Sequence, residues 1–311
     1  MIPTRQARIY VAGHLGIAGS AIVRRLRAGG YENLLLRTRA QLDLLDQRAV
    51  RSWMQHERPE YVFLAAGKVG GIAANDRERA AFIYENLMLE ANVIHAAWEA
   101  GVGGFLFLGS SCIYPRDCPQ PIREEYLLTG PLEQTNEPYA IAKIAGLKLC
   151  ESYNRQYGAR FLSAMPTNLY GPNDNYDPET SHVLAALLRK AHEAKARGER
   201  RLPVWGSGKP RREFLHADDL ADACVFLMER GISDGFFNIG TGIDVTIRQL
   251  AEIIMHTVDL DAEIEFDASK PDGTPRKLLD VSRMKALGWT AQTDLSTGIR
   301  SAYEDLRRSL R

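Results

Sequence analysis

The sequence predicts an α/β fold, a doubly wound parallel sheet of Rossmann type with a smaller C-terminal α/β lobe. Three observations carry that expectation. Short apolar runs alternate with helix-length amphipathic segments through the first half, a glycine-rich turn follows the first run, and the rhythm breaks beyond about Pro166. Apolar runs without a wetted face, separated by helices, mark strands covered on both sides in βαβ units.

In chain order, RIYVAG reads as the first strand and leads into GHLGIAG. An amphipathic segment over about 17–29 follows, closed by Gly29-Gly30, where glycine supplies the left-handed conformation that ends a helix. NLLLR, YVFLAA, FLFLGS and RFLSAM read as further strands. The segments 77–100 and 139–157 read as long helices with apolar residues on more than one face, more than one sheet contact needs. A two-fold helix-to-helix homodimer would bury the surplus. NLYGPNDNYDPETS then reads as loop, while HADDLADACVFLMER and FFNIG read as a helix and strand returning to the first domain. The expected division is 1–165 plus about 211–242 for the first domain, and about 166–210 plus 243–311 for the second.

At 311 residues and 45% hydrophobic, the chain can build one large core with an added lobe. Its 39 basic and 39 acidic residues cancel, so no global field favours nucleic acid or an anionic membrane, and small-molecule partners are expected. Cys112, Cys118, Cys150 and Cys224 lack CxxC spacing, which predicts reduced thiols and no metal site. No apolar signal core or bilayer-length run is present, so a cytoplasmic location is expected.

Gly13-His14-Leu15-Gly16-Ile17-Ala18-Gly19 lies where the first strand passes into a helix. Small residues there let the backbone approach a pyrophosphate, and the helix N-terminus offers free N–H groups and positive potential. A glycine triplet alone is a weak signal; its place between strand and helix makes it a dinucleotide loop. At the end of the second strand, where an NAD site places an acidic residue, the chain has Leu36-Arg37-Thr38-Arg39 and no carboxylate before Asp43. Arg37 and Arg39 suit a 2′-phosphate, so NADPH is the expected cofactor and the first domain its binding domain.

Tyr139-Ala-Ile-Ala-Lys143 sets a phenol and an ammonium four residues apart, on one face if the segment is helical. YxxxK recurs by chance; it gains weight from Ser110 and Ser111 at the C-terminal end of FLFLGS, where doubly wound sheets place their chemistry. Tyr139 is expected to move a proton as hydride moves, with Ser110 bonded to the carbonyl oxygen and Lys143 holding the nicotinamide ribose. A phenol ionises near pH 10, and lowering that by about three units takes roughly 4 kcal/mol, which Lys143 and the nicotinamide are expected to supply.

GHLGIAGSAI, AAGKVGGI, LGSSCIYP, EPYAIAK, MPTNLYGPNDN, VWGSGKPRREFLH and DASKPDGTPRKLLD stand in the order found in the GDP-L-fucose synthases of the extended short-chain dehydrogenase superfamily, and the chain resembles that family over nearly its whole length. The resemblance implies that GDP-4-keto-6-deoxy-D-mannose is epimerised at C3 and C5 and reduced at C4 with NADPH by a homodimer. It implies Cys112 and His182 as the epimerisation pair, and Pro166, Asn168, Leu169 and His182 beside the cofactor. Lys190, Trp205, Arg212 and Asp272 correspond to its nucleotide-sugar site, with Lys190 and Arg212 against the diphosphate and Trp205 as an apolar wall. Two residues depart from the family pattern: Lys190 replaces a more usual Arg, and Gly67 a more usual Ala.

The chemistry agrees with two groups. A 4-ketone acidifies the hydrogens on both flanking carbons, and inversion needs proton delivery on the face opposite removal. If the chain after FLFLG stays extended, Ser110 and Cys112 point to one side. A lone Cys is ordinarily a small buried hydrophobe, and a lone His at a helix start is ordinarily structural; Ser181 is the expected cap of the helix at HVLAALLRK. Competing readings are a 4,6-dehydratase, disfavoured because Ser111-Cys112 stands where such enzymes carry Asp-Glu, a 4-keto reductase that does not epimerise, and a non-catalytic NADPH sensor.

Overall fold

The computed structural model describes residues 3–177, 180–270 and 272–310, so Pro178 and Glu179 of the polar loop and Pro271 of DASKPDGTPRKLLD lie outside the described residues. Six parallel strands form the central sheet in the order β2-β1-β3-β4-β5-β9. They are β1 (Ile9–Ala12), β2 (Leu34–Leu35), β3 (Tyr61–Leu64), β4 (Gly104–Leu108), β5 (Phe161–Pro166) and β9 (Phe236–Ile239). The NLLLR run contributes only two residues to the ladder, opposite Ile9 and Tyr10.

Alternate residues of each strand enter opposite cores, which is why the runs read as apolar throughout. Ile9, Val11, Leu106 and Leu108 face α1 (Ile17–Ala28) and α7 (Ala217–Glu229). Tyr10, Ala12, Phe105 and Phe107 face α2 (Gln47–Glu57), α4 (Arg79–Glu99) and α5 (Glu137–Tyr157). The sheet is thus doubly wound. Gly30, at φ +80°, closes the turn after α1 as expected. The segment starting at residue 77 breaks at Glu78, so a short helix α3 (Ile72–Arg77) precedes α4.

A second, smaller set of strands covers the C-terminal edge of this sheet's chemistry. There β8 (Arg211–His216) pairs in parallel with β6 (Asn168–Tyr170) and β12 (Arg276–Lys277), and antiparallel with β10 (Asp244–Thr246). A parallel pair, β7 (Arg201–Trp205) and β11 (Glu263–Asp267), stands apart. The helices α6 (Val183–Arg197), α8 (Ile247–Val258) and α10 (Leu295–Ser309) close a third core around Leu188, Leu202, Leu250 and Ile299. The last helix to be placed, α9 (Ser282–Ala286), packs Met284 into the first core. Strand β8 straddles the boundary drawn near residue 211: Phe214 packs in the third core and Leu215 in the first. Helix α7 and strand β9 return to the central sheet, β9 pairing with β5. No described helix is long and apolar enough to cross a membrane.

Candidate active site

The strand order reverses between β1 and β3, and Gly13 lies at that switch point with φ +82°. A methyl group on Gly13 would come 2.7 Å from the Ala66 backbone, and one on Gly19 would overlap the Gly13 carbonyl. The two glycines therefore allow loop, helix and neighbouring strand end to close up. Gly16 caps α1 without a side-chain hydrogen bond, and the first turn of α1 has no acidic residue. Its N–H groups and dipole are left for an anion. Among the described residues, His14 Nδ1 is buried without a partner, and Leu15 is 69% exposed. These features fit a dinucleotide pyrophosphate.

Beyond β2 the two arginines differ. Arg37 is tied to Glu57 at 2.8 Å and lies over the Trp53 ring, whereas Arg39 is largely exposed with Asp43 at 3.9 Å. Arg39 is the freer of the two for a 2′-phosphate. Replacing Arg39 with Ala is expected to lower kcat/KM for NADPH about tenfold, equivalent to about 1.4 kcal/mol, and to leave that for NADH unchanged. Parallel steady-state assays with the two cofactors check this.

Tyr139 and Lys143 lie one turn apart at the start of α5, which carries Pro138 in its first turn. Tyr139 meets Phe82 of α4 edge-on, with ring centroids 6.4 Å apart. Lys143 is buried; its Nζ donates to the Leu108 carbonyl at 3.0 Å and pairs with Glu90 at 3.0 Å, 5.7 Å from the Tyr139 ring centre. Gly67 leaves this corner open, since a methyl there would stand 3.1 Å from Asn86 Oδ1 and 3.5 Å from Lys143 Nζ. The expected depression of the Tyr139 phenol is reversed in the chain alone. Burial raises its pKa, Cys112 and Glu90 raise it further, and only a hydrogen bond with Ser110 opposes them. Glu90 pairs with the Lys143 ammonium, the charge that was expected to stabilise phenolate.

The chain does not stay extended after β4. Ser110, itself extended, captures the Cys112 N–H through Oγ at 3.2 Å, and Ser111–Ile113 forms a 3₁₀ turn. The two-residue repeat therefore does not align Ser110 with Cys112. The turn instead points the thiol at Asn136 Nδ2, 3.4 Å away, and at Lys277 Nζ, 3.3 Å away, in a cleft also lined by Ser111 and Thr274. Asn136 and Lys277 were missed as partners of the thiol. Both lay in or beside quoted motifs, EPYAIAK and DASKPDGTPRKLLD, but Lys277 reaches Cys112 only because β12 pairs beside β8.

His182, not Ser181, is the N-cap of α6; it makes no side-chain cap, and among the described residues the Ser181 hydroxyl is buried without a partner. His182 is an exposed residue, though its ring is desolvated by neighbouring atoms. That burial, then the Lys277 charge, lowers its pKa below the usual histidine value and favours the neutral ring at pH 7.

Lys190 Nζ lies 4.9 Å from the centre of the exposed Trp205 ring, and Lys270 flanks the same ring at 5.3 Å. Arg212 donates to the Asp272 carbonyl at 3.3 Å, and its pKa is lowered by burial against the opposing pull of Asp272 and Cys112. The Asp272 carboxylate accepts from Ser207 N and Ser207 Oγ, each at 2.7 Å, which fixes the Gly206 turn (φ +78°) beside Trp205. Asp272 thus acts on this site through the turn. Pro166 ends β5, and Asn168 and Leu169 begin β6; Asn168 donates to the Glu213 carbonyl at 2.8 Å. Cys150 and Cys224 are buried and Cys118 is half-buried, all as free thiols.

The family model described as "NAD dependent epimerase/dehydratase family" matches residues 9–240. Among curated proteins, the chain is 56% identical over 300 residues to "GDP-L-fucose synthase 1" of Arabidopsis thaliana, covering 96% of this chain and 93% of that one. It is 55% identical over 306 residues to "GDP-L-fucose synthase" of Escherichia coli K12, covering 96% and 95%. Among solved structures, a GDP-mannoheptose C4 reductase from Campylobacter jejuni with NADP bound superposes with a TM-score of 0.89 at 40% identity, covering 98% of this chain and 99% of that one.

Proposed function

The chain belongs to the NAD-dependent epimerase/dehydratase family, and we propose that within it this enzyme converts GDP-4-keto-6-deoxy-D-mannose to GDP-L-fucose by epimerisation at C3 and C5 and NADPH-dependent reduction at C4. The observation that carries the reading is the pairing of two chemistries at one cleft. A reduction set (Ser110, Tyr139, Lys143) stands beside a thiol held by Asn136 and Lys277. Identity of 55–56% over 96% of the chain to two proteins named for that activity supports it.

When bound, NADPH supplies the reducing equivalent for C4. The Gly13–Gly19 turn and the α1 N-terminus hold its pyrophosphate, Arg39 its 2′-phosphate, and Lys143 its nicotinamide ribose. Lys190 and Arg212 bind the diphosphate of the nucleotide sugar, and Trp205 packs against its apolar surface. For epimerisation, Cys112 takes a proton at one carbon and His182 returns one from the opposite face; Cys112 then releases its proton to solvent and His182 takes one up, and the pair repeats the exchange at the other carbon. Ser110 bonds the 4-oxygen as negative charge builds there. For reduction, Tyr139 delivers its proton to that oxygen. The residues of the central sheet thus serve the cofactor, and those of the second set of strands the sugar nucleotide.

A C4 reductase that does not epimerise shares every part of the reduction set, and the Campylobacter protein is named for a C4 reduction. The thiol's two polar partners favour the bifunctional reading, because a packing cysteine needs neither. Identification of the product formed from GDP-4-keto-6-deoxy-D-mannose and NADPH separates the two.

The enzyme acts as a homodimer on this reading. Helices α4 and α5 pack on each other and leave Tyr84 and Ile141 exposed at 62% and 41%, apolar surface that a two-fold four-helix contact would cover. Light scattering at micromolar concentration should report twice the 34.7 kDa chain mass, and a monomer there would rule the contact out.

A further inference from the structure

We propose that Val69 is a specificity-determining residue: its side chain packs against the C6 methyl of the sugar and sets a preference for a 6-deoxy ring. The inference rests on the functional reading above and names the part of the substrate that this wall of the cleft selects.

Residues 67–72 (GKVGGI) cross from the cofactor side of the cleft to the sugar-nucleotide side. At one end Gly67 adjoins the corner that holds Lys143. Buried Asn86 then grips the Lys68 backbone at both polar groups, accepting from its N–H at 2.9 Å and donating to its carbonyl at 3.0 Å. At the other end the Gly71 N–H donates to the Thr180 carbonyl at 3.0 Å, two residues before His182. Buried Asn75 donates to the Gly70 and Gly71 carbonyls at 2.7 and 3.1 Å. Ile72 ends the crossing beside Arg212: a methyl on Gly273 would stand 3.6 Å from Ile72 Cδ1 and 3.4 Å from Arg212 Nη2. Val69 lies between these two pinned stretches, yet it is 61% exposed. A lone exposed valine is ordinary on a protein surface. This one stands on a backbone fixed from both sides, in a loop whose next glycine closes against Phe82, where a methyl on Gly70 would come 3.2 Å from the ring.

On the functional reading the 4-oxygen of the sugar lies at Ser110 and Tyr139, and its diphosphate at Lys190 and Arg212. The sugar ring then spans the same interval as residues 67–72, from Lys143 to Arg212, with Val69 beside it. The wall around Cys112 is polar, lined by Ser111, Asn136, Thr274 and Lys277. The ring has one edge to match each wall. Its C2 and C3 hydroxyls can bond the polar groups, whereas the C6 methyl is its single apolar substituent and gains by leaving water against Val69. A hydroxyl on C6 would instead meet a side chain that cannot bond it.

The test is calorimetric titration of the enzyme with NADP⁺ bound, using GDP-L-fucose and two analogues. GDP-D-arabinopyranose has the same ring with hydrogen in place of the methyl, and GDP-L-galactose adds a hydroxyl to C6. Wild type should bind GDP-L-fucose about fourfold more tightly than GDP-D-arabinopyranose, the value of one buried methyl group, and about tenfold more tightly than GDP-L-galactose. Val69→Ala should cut the first preference below about twofold by weakening GDP-L-fucose alone, with the affinities for GDP and NADPH unchanged. Val69→Thr, which keeps the shape and offers a hydroxyl, should bring GDP-L-galactose to within about threefold of GDP-L-fucose. A wild-type enzyme without preference for the methyl overturns the proposal, as does Val69→Ala with the preference intact. A Val69→Ala loss that falls equally on GDP and on all three sugars also overturns it, because the valine would then only shape the loop. Binding needs no turnover, so its outcome is separate from that of the functional reading, which fails if wild-type enzyme does not convert GDP-4-keto-6-deoxy-D-mannose.

Discussion

Replacing Tyr139 with phenylalanine should slow C4 reduction by about 10² to 10⁴ fold, the usual contribution of a positioned general acid, and leave NADPH binding intact. The ring and its edge-on contact with Phe82 remain, so the helix start that carries it should be undisturbed. Only the proton is lost. Burial, then Cys112 and Glu90, raises the phenol's pKa, so wild-type Tyr139 carries a proton that the variant lacks. Stopped-flow loss of NADPH absorbance measures the step, and fluorescence titration of NADPH measures binding. Wild-type turnover in the variant would exclude Tyr139 as the acid; loss of NADPH binding would show that the ring change damages the cofactor site.

Cys112→Ser should separate the two chemistries. The change is nearly isosteric, but a hydroxyl is too weakly acidic to serve as a base near neutral pH. Asn136 and Lys277 can still donate to the oxygen, so the cleft should keep its shape. Reduction uses Ser110, Tyr139 and Lys143 and should persist slowly on the unepimerised ketone, giving a GDP-6-deoxy sugar of the D series. Epimerisation should fall by at least about 10² fold. If the variant makes GDP-L-fucose at the wild-type rate, Cys112 is a packing residue and the base lies elsewhere.

Much of this architecture was legible in the sequence because its signals are local. RIYVAG followed by GHLGIAG specifies a strand, a turn that only small residues allow, and a helix start, and all three are in place. The spacing of Tyr139 and Lys143 likewise needs only a helix to bring them together. What could not be read depends on contacts between distant segments. Glu90 in a helix reads as part of a solvated face until α5 is known to lie against it, where it pairs with Lys143 in the interior. Lys277 meets Cys112 across 165 positions of sequence. The geometry after β4 failed for a different reason: Ser110 diverts the Cys112 N–H into a side-chain bond, and such local competition ends strand pairing where periodicity alone would continue it.

The bifunctional reading is tested most directly by incubating wild-type enzyme with GDP-4-keto-6-deoxy-D-mannose and NADPH in deuterated water and analysing the product by NMR and mass spectrometry. Removal and return of protons at C3 and C5 must exchange both hydrogens with solvent, whereas the equivalent delivered to C4 comes from unlabelled NADPH. The account predicts GDP-L-fucose carrying deuterium at C3 and C5 and hydrogen at C4. A GDP-6-deoxy sugar of the D series without deuterium at C3 or C5 would contradict it and identify the protein as a C4 reductase alone.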